Sequence, residues 1–439
     1  MDTENLNAIY KDERPYEYRL PTTPCPEIGP VLVTGASGYV GGRLVPALLR
    51  RGYQVRAMFR NPTEARIPGW ENVSITAGDA LNVKSLVGPL AGVHTAYYLI
   101  HSLALGSERF GQADIEAAVN FRRAAEACGV SRIIYLGGLG DLAPGLSEHL
   151  ESRMKVAFTL GGGKVPVTVL RAAIIIGSGS ASYEIIHSLV TRLRFIPAPR
   201  FAANQCQPIS IRDVVKYLIG VLENPQTSGQ SYDIGGQDIL SYREMMLELA
   251  RLLNRRIGFF RSPVSSIRPY SYIASLVTPV PSAITASLME GLRNDVVCQN
   301  FSIRQAVPFE PIGYREALVR AMDREEQDQV RTRWSDAYPP AHELAIKLKE
   351  MRRQPRYTAS YSLNTAKPAH DLFQAACRIG GTEGWFHSNW LWRLRGFLDR
   401  LLGGVGTLRG RKRAQSLQVG DVIDFWRVEA LVPDQVAEM

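Results

Sequence analysis

The stretch VLVTGASGYVGGRLVPALL, residues 31–49, constrains the fold more than any other part of the chain. Val31 to Thr34 read as a short strand. Gly35, Gly38 and Gly41 then recur at every third position, and an apolar run follows as far as Gly52. A strand that feeds a helix through so tight a turn opens a parallel βαβ unit. In such a turn the first glycine permits the reversal. The second lets backbone approach a pyrophosphate, and the third lets helix pack on strand. The helix N-terminus offers free N–H groups and a partial positive charge to the phosphates. A tight turn without a ligand would use the same glycines, but the flanking strands favour a dinucleotide.

The alternation continues downstream. YQVRAMFR, NVSITAGD, HTAYYLI, RIIYLGGLG and VTVLRAAIII read as strands two to six, with helices over 40–51, 113–128 and 147–160. Pro46 should kink the first helix or lie in its early turn. This order predicts an α/β fold, a Rossmann doubly wound parallel sheet. After Gly177 the pattern loosens into a small substrate lobe. A helix is expected over 178–194, a returning strand-turn at QPISIRDV and a strand at SYDIGG. A helix over 242–253 is opened by Ser241 and Glu244, the capping-box pair. An irregular loop follows at 277–282, then a charged helix over 316–353 broken at Tyr338-Pro-Pro. The expected domains are a disordered tail over 1–27, a dinucleotide-binding domain with its lobe over 28–325, a helical linker over 326–355 and an added domain over 356–439.

Composition narrows the function classes. The 439 residues are 45% hydrophobic and 21% charged, as in a soluble globular protein. Five scattered cysteines without a CxxC pair argue against a disulfide framework or a zinc site and predict a reducing, cytoplasmic compartment. The polar N-terminus lacks a signal h-region, and no stretch has the uninterrupted apolar length of a membrane span. The net charge of +9 is concentrated late, with 17 Lys/Arg against 11 Asp/Glu from Arg331 onward. That charge is dilute and accompanies no helix-turn-helix or zinc-finger spacing, so no nucleic-acid partner is expected.

The second strand addresses which dinucleotide binds. An NAD site places an acid at its end for the ribose hydroxyl. Here VRAMFRNPTEA offers no acid before Glu64, and the strand ends on Arg60. An arginine there pairs with a 2′-phosphate, so NADP is expected, with NAD the alternative. Asp79, after the third strand, suits an adenine amine or a helix cap. His101 and Ser102 after the fourth strand, and Ser178, Ser180 and Tyr183 after the sixth, fall at the edge where parallel sheets bind ligands. A structural hydrogen-bonding histidine and a polar loop with Ser180 as helix cap are the bland readings of these. Asp213 is read as fixing the returning turn.

TGASGYVGGRL, FRNP, GDA, YYLIHSL, RIIYLGGLG, LRAAIIIGSGS, PISIRDV and YDIGG together resemble the atypical short-chain dehydrogenase/reductases. Within these the chain is similar to the NmrA-like and nucleoside-diphosphate-sugar-epimerase-like branch, and to bacterial members with a C-terminal DUF2867 domain. The resemblance implies that Gly35, Ser37, Gly38, Tyr39, Val40, Gly41 and Arg60 line the cofactor. It puts Asp79 and Leu99 to His101 near adenine and ribose. Active family members carry Tyr-x-x-x-Lys on the helix after the fifth strand. GLGDLAPGLSEHLESRMKVA has no tyrosine there. His149 and Arg153 take the i,i+4 spacing instead, a general acid and a cofactor-orienting cation, while Lys155 falls on another face. Three readings follow: carbonyl chemistry with His149 as acid, direct hydride transfer to a quinone-type acceptor, or NADP(H) sensing without turnover.

In GWFHSNWLWRLRGFLDRLLGG, Trp390, Leu394, Phe397 and Leu401 lie on one helical face, and RGRKR follows. The expected fate of this face is the added domain's own core. Peripheral membrane or lipid contact through 385–413 is the alternative. The added domain resembles α+β helix-grip, START-like folds, and a domain truncated at Met439 is one expectation for it. Small-molecule substrate binding is expected, and the oligomeric state is left open.

Overall fold

In the computed structural model the described residues are 16–62, 69–100, 107–140, 148–264 and 266–323, then 364–379, 384–385, 387–401 and short pieces beyond. The chain separates into two compact units, Met1–Trp334 and Ser335–Met439.

The first unit is built on a seven-stranded sheet. Its strands are β1 (Val31–Val33), β2 (Val55–Phe59), β3 (Ser74–Ala77), β4 (Thr95–Tyr98), β5 (Arg132–Gly138), β6 (Val167–Ala172) and, after four short strands, β11 (Ser231–Ile234). Their spatial order is β3-β2-β1-β4-β5-β6-β11, and every pairing is parallel. The order reverses between β1 and β4, the switch point where ligands bind in such sheets.

Strands buried on both faces need apolar residues at nearly every position. β1 and β4 are fully buried. One face packs Leu44 and Leu48 of α1 (Gly41–Arg50) and Leu218 of α5 (Ile211–Glu223). The other packs Phe121 of α2 (Ser107–Ala127) and Leu160 of α3 (Glu148–Gly161). Pro46 sits inside α1, where its ring removes the hydrogen bond that would reach the Gly42 carbonyl.

Between β6 and α5 come β7 (Ile175–Ile176), α4 (Ala181–Arg192), β8 (Phe195–Ala198), β9 (Gln205–Cys206) and β10 (Ile209–Ser210). After β11 follow β12 (Leu240–Ser241), α6 (Tyr242–Leu252), β13 (Gly258–Arg261), α7 (Arg268–Val277), α8 (Ser282–Glu290) and α9 (Tyr314–Met322). The lobe has its own core, in which Val190, Ile196, Met245, Leu249 and Leu318 are buried together. The Ser241–Glu244 capping box forms at the start of α6 as expected.

Several expectations are corrected. Residues 16–27 are not a disordered tail. Tyr16–Arg19 and Pro26–Ile28 form 3-10 turns, Leu20 is buried, and Glu17 pairs with Arg50. The sixth strand breaks after Ala172 and resumes as β7, which pairs with β10. QPISIRDV does carry a short strand, β10, but it then enters the 13-residue helix α5 instead of a turn. Asp213 does act structurally. It is fully buried, bonds the Ile312 N–H through Oδ2 at 2.9 Å and pairs with Lys216 at 3.1 Å. Of the charged helix expected over 316–353, α9 covers the start, and 324–353 lie outside the described residues.

The second unit contains α10 (Ala369–Ala376), α11 (Asn389–Leu401) and two antiparallel pairs. These are β14 (Val422–Ile423) with β15 (Trp426–Arg427), and β16 (Ala430–Val432) with β17 (Val436–Glu438). Cys377, Leu417, Ile423 and Val428 form its small core. The apolar face of α11 is not part of that core. Trp390, Leu394, Phe397 and Leu401 are all exposed. No described helix is long and apolar enough to cross a membrane.

Candidate dinucleotide-binding site

The glycine turn is stitched to the switch point by one buried side chain. Thr34 donates its N–H to the Tyr97 carbonyl at 3.0 Å and its hydroxyl to the same oxygen at 2.8 Å. The hydroxyl also accepts the Leu99 N–H at 3.1 Å. These bonds lock the end of β1 to the end of β4. Gly35 follows in the left-handed region, φ +62°, and a Cβ there would lie 2.7 Å from the Leu99 carbonyl oxygen. The Gly38 N–H closes the turn on the Gly35 carbonyl at 2.9 Å. At Gly41 a Cβ would meet the Gly35 oxygen at 2.3 Å, so only glycine lets α1 start against the turn. Val40, the residue before α1, supplies no side-chain cap. The Gly42 and Leu44 N–H groups already donate to the Gly38 and Val40 carbonyls, each at 2.9 Å, so an anion would meet the glycine turn ahead of them at the positive end of α1, where the backbone cradle has no room for a side chain. Both features fit a dinucleotide pyrophosphate.

Arg43, which the motif reading passed over, braces this turn. Its guanidinium lies 4.0 Å over the Tyr39 ring and donates to the Tyr39 carbonyl at 2.9 Å. It also donates to the Ser178 carbonyl at 2.6 Å. A Cβ on Gly177 would lie 2.4 Å from the Tyr39 hydroxyl. The turn and the 177–180 loop are therefore one packed assembly. An arginine two residues past the last motif glycine was the available signal.

Arg60 is exposed directly after β2, on the strand beside β1. Arg56 is occupied, donating to the Pro89 and Ala91 carbonyls at 2.7 and 2.8 Å. Asp79 is half-buried after β3, and its Oδ1 accepts the Leu81 N–H at 3.0 Å, so it caps a turn in this structure. His101 and Ser102 lie outside the described residues.

On the far side of the crevice, His149 lies in the first turn of α3, with its side chain outside the described set. Arg153 is one turn on, where its backbone carbonyl accepts the Tyr135 hydroxyl at 3.1 Å. A Cβ on Gly138, the last residue of β5, would lie 3.8 Å from Arg153 Cγ. Arg153 therefore sits at the carboxyl edge of the sheet. Lys155 faces solvent and pairs with Glu151 at 2.6 Å. Ser178 is buried beside the glycine turn, and Ser180 caps α4 through the Tyr183 N–H at 3.1 Å. The Tyr183 side chain is directed into the lobe core, and burial holds its hydroxyl well above the usual tyrosine range. Burial likewise pushes the Cys206 thiol up to about 11 and the Cys298 thiol up to about 12, which leaves both protonated and inert.

Residues 35–158 match the family model described as NAD(P)H-binding, and residues 352–439 match that of DUF2867, a protein family of unknown function. The chain joins an NAD(P)H-binding domain to a DUF2867 domain. The NAD(P)H-binding model begins at Gly35 and ends within α3, so it contains the glycine turn, Arg60, Asp79 and Arg153.

A 3-beta-hydroxysteroid dehydrogenase of Mycolicibacterium neoaurum is 31% identical over 25% of this chain and 32% of its own length. The chloroplastic divinyl chlorophyllide a 8-vinyl-reductase of Zea mays is 25% identical over 53% of this chain and 62% of its own. The chain thus spans less than two thirds of either relative. A ceramide reductase of Caulobacter vibrioides is 24% identical over 54% of this chain and 74% of its own length. Among solved structures, Citrobacter sp. triphenylmethane reductase in complex with NADP(H) superposes with a TM-score of 0.55. It is 18% identical and covers 66% of this chain and 99% of that one. A nucleoside-diphosphate-sugar epimerase from Staphylococcus aureus gives 0.54 at 19% identity, covering 66% and 99%. The NAD(P)H-binding domain and its lobe have this reductase and epimerase fold.

Proposed function

We propose that the protein is an NADP(H)-dependent oxidoreductase acting on an apolar carbonyl or quinone-type acceptor. The observation that carries the reading is the sterically closed glycine turn at the switch point, with the uncapped start of α1 above it. The backbone of the glycine turn and the positive end of the α1 dipole bind the pyrophosphate. Arg60 pairs with the 2′-phosphate, and Arg153 orients the ribose near the carboxyl end of β5. NADP(H), when bound, supplies or takes the hydride. His149 delivers the proton that a reduced carbonyl needs, in place of the tyrosine missing from α3. Relatives named as reductases, one of them acting on ceramide, support a redox role with an apolar substrate.

The missing tyrosine also supports a second reading, NADP(H) sensing without turnover. Following NADPH oxidation across a panel of apolar quinones and carbonyls separates the two. The enzyme reading predicts steady oxidation with at least one acceptor. Saturable binding with no oxidation of any acceptor contradicts it. With the best carbonyl, His149→Gln is expected to lower turnover by about 10²–10⁴ while leaving NADPH affinity unchanged. Unchanged turnover removes His149 from the mechanism.

A further inference from the structure

One face of the lobe combines exposed aromatics with uncompensated positive charge. β8 and β13 pair in parallel, with Phe195 opposite Gly258 and Pro197 opposite Phe260. This register puts Phe195 and Phe260 on the same side of the ribbon, because side chains alternate along a strand. Ile196, on the other side, is buried in the lobe core. Phe195 and Phe260 are 65% and 51% exposed. Gly258 has no side chain to shield them: a Cβ there would lie 2.9 Å from the Phe195 ring. The Tyr270 hydroxyl bonds Ser262 Oγ at 2.5 Å and the Val264 carbonyl at 2.9 Å. It thereby ties α7 to the loop after β13, and exposed Val264, Tyr272 and Ile273 join the surface.

Arg200, Arg255, Arg256 and Arg268 are exposed on the segments that frame this face, and Arg194 and Arg261, next in sequence to the two phenylalanines, are exposed at the ends of the ribbon. None is in an ion pair among the described residues. Residues 192–204 and 251–289 contain no Asp or Glu at all. Arg268 even opens α7, where the helix dipole disfavours a cation. The charge is not explained by the lobe's own stability.

An apolar cavity of about 80 Å³ lies behind this face, lined by Leu193, Ile196, Phe201, Met246, Tyr270 and Ile273. Ile273 both lines the cavity and stands 42% exposed on α7, so one side chain separates the cavity from the surface there.

We propose that this face docks on an anionic lipid bilayer, with the apolar cavity held behind it. Phe195 and Phe260 enter the headgroup region, and the arginines engage lipid phosphates around them. Charge decides the occupant. A second copy of the chain would bring a like patch of arginines against this one, whereas an anionic leaflet complements both its charge and its apolar centre. The proposal does not depend on the redox reading, since docking needs no turnover.

The test is sedimentation of the full chain with phosphatidylcholine vesicles, with and without phosphatidylglycerol. Trp390→Ser with Phe397→Ser serves as background, which removes the exposed face of α11 from the comparison. This background is expected to bind the anionic vesicles, to ignore the neutral ones, and to weaken as salt rises. Adding Arg200→Gln, Arg256→Gln and Arg268→Gln should weaken binding about a hundredfold. Adding Phe195→Ser and Phe260→Ser instead should also abolish co-sedimentation at low salt. All of these positions are exposed, and an unchanged unfolding midpoint confirms that each variant folds. Failure of the background to bind, or undiminished binding by the lobe variants, overturns the proposal. So does binding of a single-stranded oligonucleotide in preference to the vesicles.

Discussion

Gly41 lies where backbone meets backbone, with the Gly35 carbonyl occupying the space a side chain would need. Neither group can swing aside as a flexible side chain could. Gly41→Ala should therefore move α1 off the turn, destabilising the fold by about 1–3 kcal/mol and weakening NADPH binding disproportionately. Urea unfolding paired with cofactor titration checks this. Wild-type affinity in the variant would mean that the turn is not the phosphate cradle. His187 makes a second, pH-dependent prediction. Burial, and secondarily the nearby Arg192, lower its pKa below the ordinary imidazole value. The unfolded chain therefore takes up this proton first as pH falls. The contribution is fully present above the unfolded value and is lost as the solution is acidified below it. Melting from about pH 7.5 to about pH 5.5 should show a smaller fall in His187→Gln than in the parent. Equal falls would remove His187 from the acid sensitivity.

Elements with a clear period were legible in the sequence, and those without one were not. β1, β2 and the capping box of α6 follow directly from VLVTG, YQVRAMFR and the Ser241–Glu244 pair. α5 was missed because its polar side is buried along with its apolar one: Asp213, Lys216 and Glu223 recur at helical spacing in IRDVVKYLIGVLE, yet they are drawn out of water by partners rather than facing it. The N-terminal turns were missed for the opposite reason. Their residues are polar, and they are held by ion pairs with sequence-distant partners. Arg51 and Glu223 form a buried pair at 2.5 Å, with Thr22 and Tyr53 bonded to the same carboxylate. The Thr22 carbonyl accepts from Arg51 at 2.6 Å. No local pattern encodes such a contact. Glu223→Ala leaves Arg51 buried without its anion, so it should cost about 3–5 kcal/mol. It should also expose Arg19 to trypsin. Unaltered stability and unaltered protection of Arg19 would show that the pair does not anchor this segment.

At the scale of the molecule, the parallel sheet was readable from alternation, and the tight strand-to-helix turn from three glycines. The lobe was readable only as an insertion. Its short strands pair across long sequence separations, as β8 does with β13, and so leave little trace in any window of sequence. Its basic face was hidden too, because its arginines come from two stretches some fifty residues apart while the late excess charge drew attention to the second unit. The candidate catalytic pair is the least legible part, since His149 and Arg153 stand where the family's own motif is absent.

The central claim is that the switch-point crevice holds NADP(H) and that Arg60 selects it. Parallel calorimetric titrations of NADPH and NADH, on the parent chain and on Arg60→Asp, test this most directly. Charge-assisted contacts from Arg60 to a 2′-phosphate would be worth about 1.5–3 kcal/mol. NADPH should therefore bind the parent roughly one to two decades more tightly than NADH, and Arg60→Asp should erase that gap. Equal affinities in the parent, or no saturable binding of either nucleotide, would contradict the account.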